Sequence, residues 1–306
     1  MKATGILLGL LAVASLPAQM LQIEGPVSGF VFDESSQTLR PIVGLPGAAY
    51  LGDPVASGLL WASVAPGGPS ALALKDGLLF SLLELKSLSP VWARIENVQI
   101  LPERAAWAED GSAVLIYSAA TGSAQWIRMS ETPIAEEPLP LAAASALAVD
   151  RQGRVIAATP DGVFLTAGGQ VQPLLPALRA AALAIAAHDL LVAGVNGEIW
   201  RVRDYAGQAV PELVAAVEDP VGVAASPDGK YLFVADRSRR SVEIFELASR
   251  APVARLTAEA EPLTLARLSE NDVWLLRTSS GPSDPLLLLK TNPEPGIWFV
   301  PAGKGE

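Results

Sequence analysis

The chain has 306 residues, of which 50% are hydrophobic and 18% charged, and its formal net charge is −10 at pH 7. A soluble domain usually has about 25% charged residues, so this chain can bury a large core. The acidic balance disfavours a nucleic-acid partner, because that affinity comes mainly from Lys and Arg neutralising phosphates. Anionic membrane surfaces are disfavoured for the same reason. The absence of cysteine excludes disulfides, thiolate metal sites and a lipid anchor on a cysteine.

The N-terminal stretch MKATGILLGLLAVASLPA has the layout of a secretory signal peptide. Lys2 supplies a positive start, residues 6–16 are apolar, and Ala18 precedes a polar residue. The apolar part is shorter than the roughly 20 residues that a bilayer span needs. We therefore predict a signal peptide over 1–18, cleaved after Ala18, and a single domain over 19–306. The mature protein is expected in the periplasm or the extracellular space, without a membrane span.

A similar unit recurs about every forty residues along the rest of the chain. Each unit has an apolar run, a turn, and a second run that is more apolar still. The turns lie near Pro66, Glu109, Arg151, His188, Pro227 and Glu270. A period of about 40–45 residues is typical of the four-stranded blades of a propeller. The sequence therefore predicts an all-β propeller of four-stranded antiparallel blades, in which even the alanine-rich stretch LRAAALAIAAHD is a first strand.

The number of blades depends on the N-terminal part of the mature chain. Six units are clear between about residues 57 and 301. Residues 19–56 contain four further runs, QMLQIEG, VSGFVFDES, TLRPIVG and AAYLGDP. We predict seven blades, and six blades plus an N-terminal hairpin is the alternative.

The clearest unit, SPDGKYLFVADRSRRSVEIFEL, resembles the repeat of the YVTN-type bacterial β-propellers. The matching positions are Ser226, Pro227, Asp228, Gly229, Tyr231, Val234, Ala235 and Asp236. The other units keep the hydrophobic skeleton of the repeat and lose its signature. The resemblance implies a binding surface or a non-catalytic part of a larger protein. It also implies an alternative, because some relatives are sugar lactonases that hold a divalent ion in the channel through Glu, Asn and Asp.

The sequence offers few residues for catalysis. His188 is the only histidine, and it is either a base oriented by Asp189 or a turn residue. We favour the turn, since adjacent residues at a strand end point in opposite directions. The chain has no Gly-x-Ser-x-Gly elbow for a nucleophile, and one His without Cys excludes His-rich zinc sites. We therefore predict no catalytic residue and no bound cofactor.

A calcium site is left open, because Ca²⁺ takes six to eight oxygen ligands and a channel can gather them from several blades. The candidate ligands are Asp150, Asn196, Asp236, Asn271 and Asp272. Asp and Asn are also common in turns for backbone reasons. The sequence therefore assigns no ligand set.

The densest basic cluster predicts an interaction loop. It comprises Asp236, Arg237, Arg239 and Arg240. An Arg side chain presents a fork that binds carboxylate or phosphate groups, and a solvated hairpin is the alternative reading. Our leading hypothesis is an exported, non-enzymatic scaffold for an unknown protein or small-molecule ligand. The alternatives are a divalent-metal-dependent, lactonase-like hydrolase acting in the channel, and a non-catalytic subunit of a larger complex.

Overall fold

The computed structural model describes residues 25–141, 143–268, 272–277, 285–292 and 294–301. Within these residues the chain forms twenty-nine β-strands and one short 3₁₀ helix, Leu85–Ser87. The strands group into seven antiparallel sheets, each built from consecutive strands. The protein is a seven-bladed β-propeller, so the predicted fold class and blade number are confirmed. The predicted signal peptide lies outside the described residues.

The first three blades occupy the N-terminal half of the chain. Blade 1 contains β1 (Val27–Asp33), β2 (Thr38–Val43), β3 (Tyr50–Leu51) and β4 (Ala56–Ser57). Blade 2 contains β5 (Trp61–Val64), β6 (Ser70–Lys75), β7 (Leu78–Leu83) and β8 (Val91–Arg94). Blade 3 contains β9 (Arg104–Trp107), β10 (Ala113–Ser118), β11 (Ser123–Arg128), β12 (Ile134–Ala135) and β13 (Leu139–Pro140).

The other four blades follow the same order. Blade 4 contains β14 (Ala146–Val149), β15 (Val155–Thr159), β16 (Gly162–Ala167) and β17 (Gln170–Pro176). Blade 5 contains β18 (Ala180–Ala186), β19 (Asp189–Gly194), β20 (Glu198–Arg203) and β21 (Val210–Ala216). Blade 6 contains β22 (Pro220–Ala225), β23 (Tyr231–Asp236), β24 (Ser241–Glu246) and β25 (Pro252–Thr257). Blade 7 contains β26 (Ala266–Arg267), β27 (Val273–Arg277), β28 (Leu286–Lys290) and β29 (Gly296–Val300).

Within the described residues blade 1 is three strands wide, because β3 and β4 both pair with β2 as two parts of one interrupted strand. Its first strand, β1, corresponds to the second strand of the other blades. Asp33 at the end of β1 accepts the backbone amides of Ser35 and Ser36, as Asp236 at the end of β23 accepts the amide of Arg239. The first run predicted for this blade, 19–25, lies outside the described residues except for its last one.

The antiparallel order of the strands gives the ring two distinct faces. In blades 2 to 6 every connection from a first to a second strand lies on one face, which we call the lower face, and every connection from a second to a third strand lies on the opposite face, the upper face. The antiparallel pairing of β26 and β27 places the start of β27 on the lower face as well. The described residues contain no helix with the length and hydropathy needed to cross a bilayer.

The core lies between neighbouring blades, because each sheet packs its faces against the sheets on either side. The second strands are buried on both faces, and in β19 residues 190–193 are fully buried. A strand that is covered on both sides has a continuous apolar sequence rather than an alternating one. This explains why the second apolar run of each forty-residue repeat is the more apolar of the two. Val31 and Ile42 of blade 1 pack with Leu288 of blade 7, so hydrophobic packing closes the ring.

Candidate functional site

The inner strands surround an axial space, and its upper part is a cavity of about 440 Å³. This upper cavity is lined by β5, β9, β14, β18, β22 and residues 263–265. Two of its polar side chains have partners. Arg104 donates to the carbonyl oxygens of Ala144 at 2.7 Å and Ser145 at 2.5 Å, and Ser63 accepts the indole N–H of Trp107 at 2.9 Å. The described lining contains no carboxylate or imidazole.

The lower part of the axial space is a second cavity, of about 480 Å³. This lower cavity is lined by later residues of the same inner strands, 184–186 of β18 and 224–225 of β22. The wall is apolar, with Ile185, Leu191 and Trp274 among its side chains. The charged lining residues are Glu109, Asp189, Arg201, Asp228, Arg267 and Asp272. The lower cavity therefore combines an apolar wall with a charged rim.

Most charged groups of this rim are bound to one another or to the backbone. The Glu109 carboxylate lies 3.0 Å from Arg151 of blade 4 and 3.7 Å from Arg267 of blade 7. Asp189 accepts Nε of Arg201 at 2.6 Å. Glu109 thus connects blade 3 to blades 4 and 7, and the Asp189–Arg201 pair connects two strands of blade 5.

Asp228 belongs to the predicted Pro-Asp-Gly turn, and its carboxylate serves that turn. It accepts the Ser226 hydroxyl at 2.5 Å and the Lys230 amide at 3.0 Å. The hydrogen bond from Ser226, followed by that from the Lys230 amide, lowers the pKa of Asp228. Its location in the cavity lining is therefore compatible with a purely structural role.

Asp272 is the exception on the rim. As a whole residue it is 9% exposed, and its carboxylate has no hydrogen bond or ion pair within the described residues. The carboxylate oxygens reach solvent, because they are not among the buried side-chain atoms that lack a partner. The backbone carbonyl of Asp272 does have a partner, since it accepts the Thr291 amide at 3.0 Å. Two residues further on, Trp274 contributes its ring to the wall, and its Nε1–H finds no acceptor in the described part of the chain.

The predicted metal ligands do not come together at one place. Asp150 and Asp272 lie in connections on the lower face, whereas Asn196 and Asp236 lie on the upper face, and Asn271 is outside the described residues. Asn196 accepts the Glu198 amide of its own turn, which is the backbone role noted above for such residues. Among the described residues no group of three or more His, Cys, Asp or Glu side chains could hold a metal ion.

Asp150 instead links two blades. Its buried carboxylate accepts the Arg154 amide at 2.9 Å, Nε of Arg154 at 2.5 Å and the Tyr205 hydroxyl of blade 5 at 2.8 Å. Burial alone would raise the pKa of Asp150, but the bonds from Arg154 and Tyr205 outweigh it and lower the pKa. The pKa of Tyr205 is raised, first by burial and then by its bond to Asp150.

The predicted interaction loop lies on the upper face, and its arginines are paired. Arg237 binds Asp219 through two bonds of 2.8 and 3.2 Å. Arg239 lies 3.1 Å from Glu218, and Arg240 lies 3.7 Å from Glu261. These acidic partners come from the connections between blades. Sequence reasoning missed them because they lie outside the hairpin itself, and the role of the loop in recognition stays a prediction.

Asp236, the remaining member of that loop, is fully buried. It accepts the Ser238 hydroxyl at 2.9 Å, the Arg239 amide at 3.1 Å and the Glu218 amide at 3.3 Å. Its carboxylate therefore fixes the turn between β23 and β24.

His188 lies exposed in the turn between β18 and β19. Asp189 binds Arg201 and the Asp204 amide, and no bond between Asp189 and His188 is present in the described structure. The arrangement agrees with the turn that the sequence favours.

Comparisons with known proteins give the fold and no family. No family model matches the chain, and no curated protein matches it. Among solved structures, the chain is similar to hydrazine synthase of Kuenenia stuttgartiensis, with a TM-score of 0.58 and 12% sequence identity. That match covers 84% of this chain and 94% of the other. At this identity the likeness shows the propeller fold alone.

Proposed function

We propose that the protein is an exported, non-enzymatic propeller that binds its ligand or partner in the lower cavity. The observation that carries this proposal is the lower cavity itself, a space of about 480 Å³ on the ring axis that combines apolar side chains with charged ones. A preformed site loses little conformational freedom on binding, which favours affinity. Pockets of 300–1,000 Å³ with apolar walls and a few polar groups are typical ligand sites.

The sequence supports two further parts of the proposal. The layout of residues 1–18 supports export to the periplasm or the extracellular space, with the single domain 19–306 as the mature protein. The likeness of residues 226–247 to the YVTN repeat supports a binding role. The intact mass of the protein recovered after secretion from a bacterial host tests the export step, and we expect a mature chain that begins at Gln19. Retention of residues 1–18 would contradict it.

A matched pair of variants in one strand tests the lower cavity. Ala184 lines the lower cavity and Ala181 the upper one, and both belong to β18. Ala184→Leu fills lower-cavity space, whereas Ala181→Leu makes the same change at the upper cavity. We expect six-carbon amine, carboxylate and alcohol probes to lose binding in Ala184→Leu only, as measured by isothermal titration calorimetry. Loss in Ala181→Leu alone would contradict the proposed location.

The alternative, a metal-dependent lactonase-like hydrolase, predicts a different response. An ion at about one hundred times its dissociation constant adds roughly 2.7 kcal/mol of stability. For the proposed scaffold we expect no chelator-reversible change in the melting temperature with Ca²⁺, and no hydrolysis of γ- or δ-lactones. A reversible shift accompanied by Ca²⁺-dependent hydrolysis would overturn the non-enzymatic proposal.

A further inference from the structure

We propose that the upper cavity binds a guanidinium group, carried by a small organic ligand, on backbone carbonyl oxygens of blades 5, 6 and 7. This site lies apart from the lower cavity, so it is a second binding site on the ring axis.

The first argument is a β-bulge that recurs at the start of the inner strands. In blade 7 the amides of Leu263 and Thr264 both donate to the carbonyl oxygen of Leu276, at 2.7 and 3.1 Å. Two residues on one strand that oppose a single residue on its partner form a β-bulge. The equivalent extra residue is residue 60 in blade 2, 103 in blade 3, 145 in blade 4, 181 in blade 5 and 221 in blade 6.

The bulge decides which way the backbone carbonyls point. In a planar trans peptide group the C=O is directed opposite to the N–H. Because two successive N–H groups of each bulge are directed to the second strand, the carbonyls of the same two peptide groups are directed away from it. Each first strand is the end strand of its sheet, so these carbonyls face the axis. The repeated bulge therefore surrounds the upper cavity with carbonyl pairs.

The second argument is that one carbonyl pair holds a guanidinium. In blade 4 the pair consists of the carbonyls of Ala144 and Ser145. Both accept Nη1 of Arg104, which reaches them from blade 3. Hydrogen bonds from a charged donor are shorter and stronger than neutral ones. One copy of the bulge thus shows which chemical group its carbonyls bind.

The third argument is what the other copies offer. Ala181 of blade 5, Val221 of blade 6 and Leu263 of blade 7 are bulge residues that line the upper cavity. Their carbonyl oxygens are acceptors, and they require a ligand with donors. Guanidinium and ammonium groups have several donors and no acceptor. Arg104 is the one charged side chain in the described lining, and its guanidinium is directed to blade 4, which leaves the carbonyls of blades 5 to 7 to a ligand.

The fourth argument favours guanidinium over ammonium. Trp61 is the aromatic residue of the described lining. A planar guanidinium stacks on aromatic rings, whereas an ammonium group is a compact point charge. Leu183 and Leu265 line the same cavity and provide apolar surface for a short alkyl chain. The cavity therefore suits an alkylguanidinium.

The experiment titrates the protein with three probes that share a propyl chain: n-propylguanidinium, n-propylammonium and N-propylurea. The urea has the planar shape of the guanidinium, but it is neutral and carries an acceptor. By isothermal titration calorimetry we expect propylguanidinium to bind saturably and about tenfold more tightly than propylurea, because its donors are charged. We expect it to bind about threefold more tightly than propylammonium, because it also stacks.

A matched pair of variants locates the site. Ala181→Leu fills space in the upper cavity, and Ala184→Leu makes the same change in the same strand at the lower cavity. We expect propylguanidinium to lose binding in Ala181→Leu and to keep its affinity in Ala184→Leu. Trp61→Leu leaves the backbone carbonyls in place and removes the ring, and we expect an affinity loss of about threefold.

Arg104→Ala tests the carbonyl pair itself, because it removes the guanidinium from the pair in blade 4. Arg104 is exposed, so the fold should be retained. We expect this variant to bind an additional equivalent of propylguanidinium, and its melting temperature to rise more than that of wild type when the probe is added. Arg94→Ala, which removes an exposed arginine outside the upper cavity, is the control and should behave like wild type.

Three results would overturn the inference. The first is absent binding of propylguanidinium, or binding no tighter than that of propylurea. The second is an equal loss in Ala181→Leu and Ala184→Leu. The third is an Arg104→Ala protein that takes up no additional propylguanidinium. The lower cavity is tested separately, by the six-carbon probes and Ala184→Leu.

Discussion

An aspartate on the upper face of the ring and one on the lower face differ in whether their carboxylates accept hydrogen bonds. Asp236 on the upper face is fully buried, and three donors from its own loop and the preceding connection satisfy its carboxylate. Asp272 on the lower face is largely buried as a whole residue, but its carboxylate has no donor among the described residues and reaches solvent. A buried carboxylate stabilises a fold only when its surroundings supply donors. Asp236 therefore stabilises the fold through its donors, whereas the carboxylate of Asp272 is left to solvent.

The largest expected effect is at Asp236. Asp236→Ala leaves buried amide groups without their acceptor and removes the charge that faces Arg239. We expect a loss of about 3–5 kcal/mol in the free energy of unfolding, the range for breaking a buried charge pair. Urea unfolding measures it, with Asp228→Ala as the control for an exposed turn. If Asp236→Ala lost no more unfolding free energy than Asp228→Ala, the donors around Asp236 would add no stability and the contrast with Asp272 would fail.

Asp150 sharpens the comparison because it lies on the lower face, like Asp272, but has partners. Tyr205→Phe removes the hydrogen bond between blades 4 and 5. We expect a loss of about 1.5–3 kcal/mol at pH 7, as for a bond to a charged group. Tyr50→Phe, at an exposed position, is the control in the same unfolding measurement. A loss would show that the partners, rather than the face, decide the role of the aspartate.

The pH dependence of stability tests the same carboxylate. The pKa of Asp150 is lower in the folded protein than its ordinary value of 3.8. Its stabilising contribution is therefore complete above the pKa of the unfolded chain and is lost as the pH falls through the folded pKa. We expect wild type to lose stability more steeply below about pH 4 than Asp150→Asn, which has no proton to gain there. Parallel curves between pH 5 and 2 would contradict this role.

The smallest effect is expected at the surface of the upper face. Arg237→Gln breaks the two bonds to Asp219, but both side chains are substantially exposed. Exposed ion pairs contribute about 0–1 kcal/mol, so we expect a loss within that range that shrinks at high salt. Thermal unfolding at low and high ionic strength measures it.

The sequence predicted the strands well because their signals are local. The run 231–236 and the turn before it lie where the pattern placed them, and the repeat register identified β18 as a strand despite its alanines. The site was not predictable in the same way. Asp150 and Asp272 look alike in sequence, and Tyr205, the partner that distinguishes Asp150, is 55 residues away. The pairing of Arg237 with Asp219 likewise crosses between blades.

Each described sheet is made from one continuous stretch of chain. The ring is therefore modular, since a cut between two described blades would sever the covalent chain and leave each sheet's ladder intact. Duplication or loss of a segment of about forty residues would add or remove one whole blade. Only the apolar faces between blades would have to adapt, because the angle between neighbouring blades changes with their number. Ring size in such a chain can evolve by gain and loss of single units, while a pocket carried by the turns of three or four neighbouring units persists.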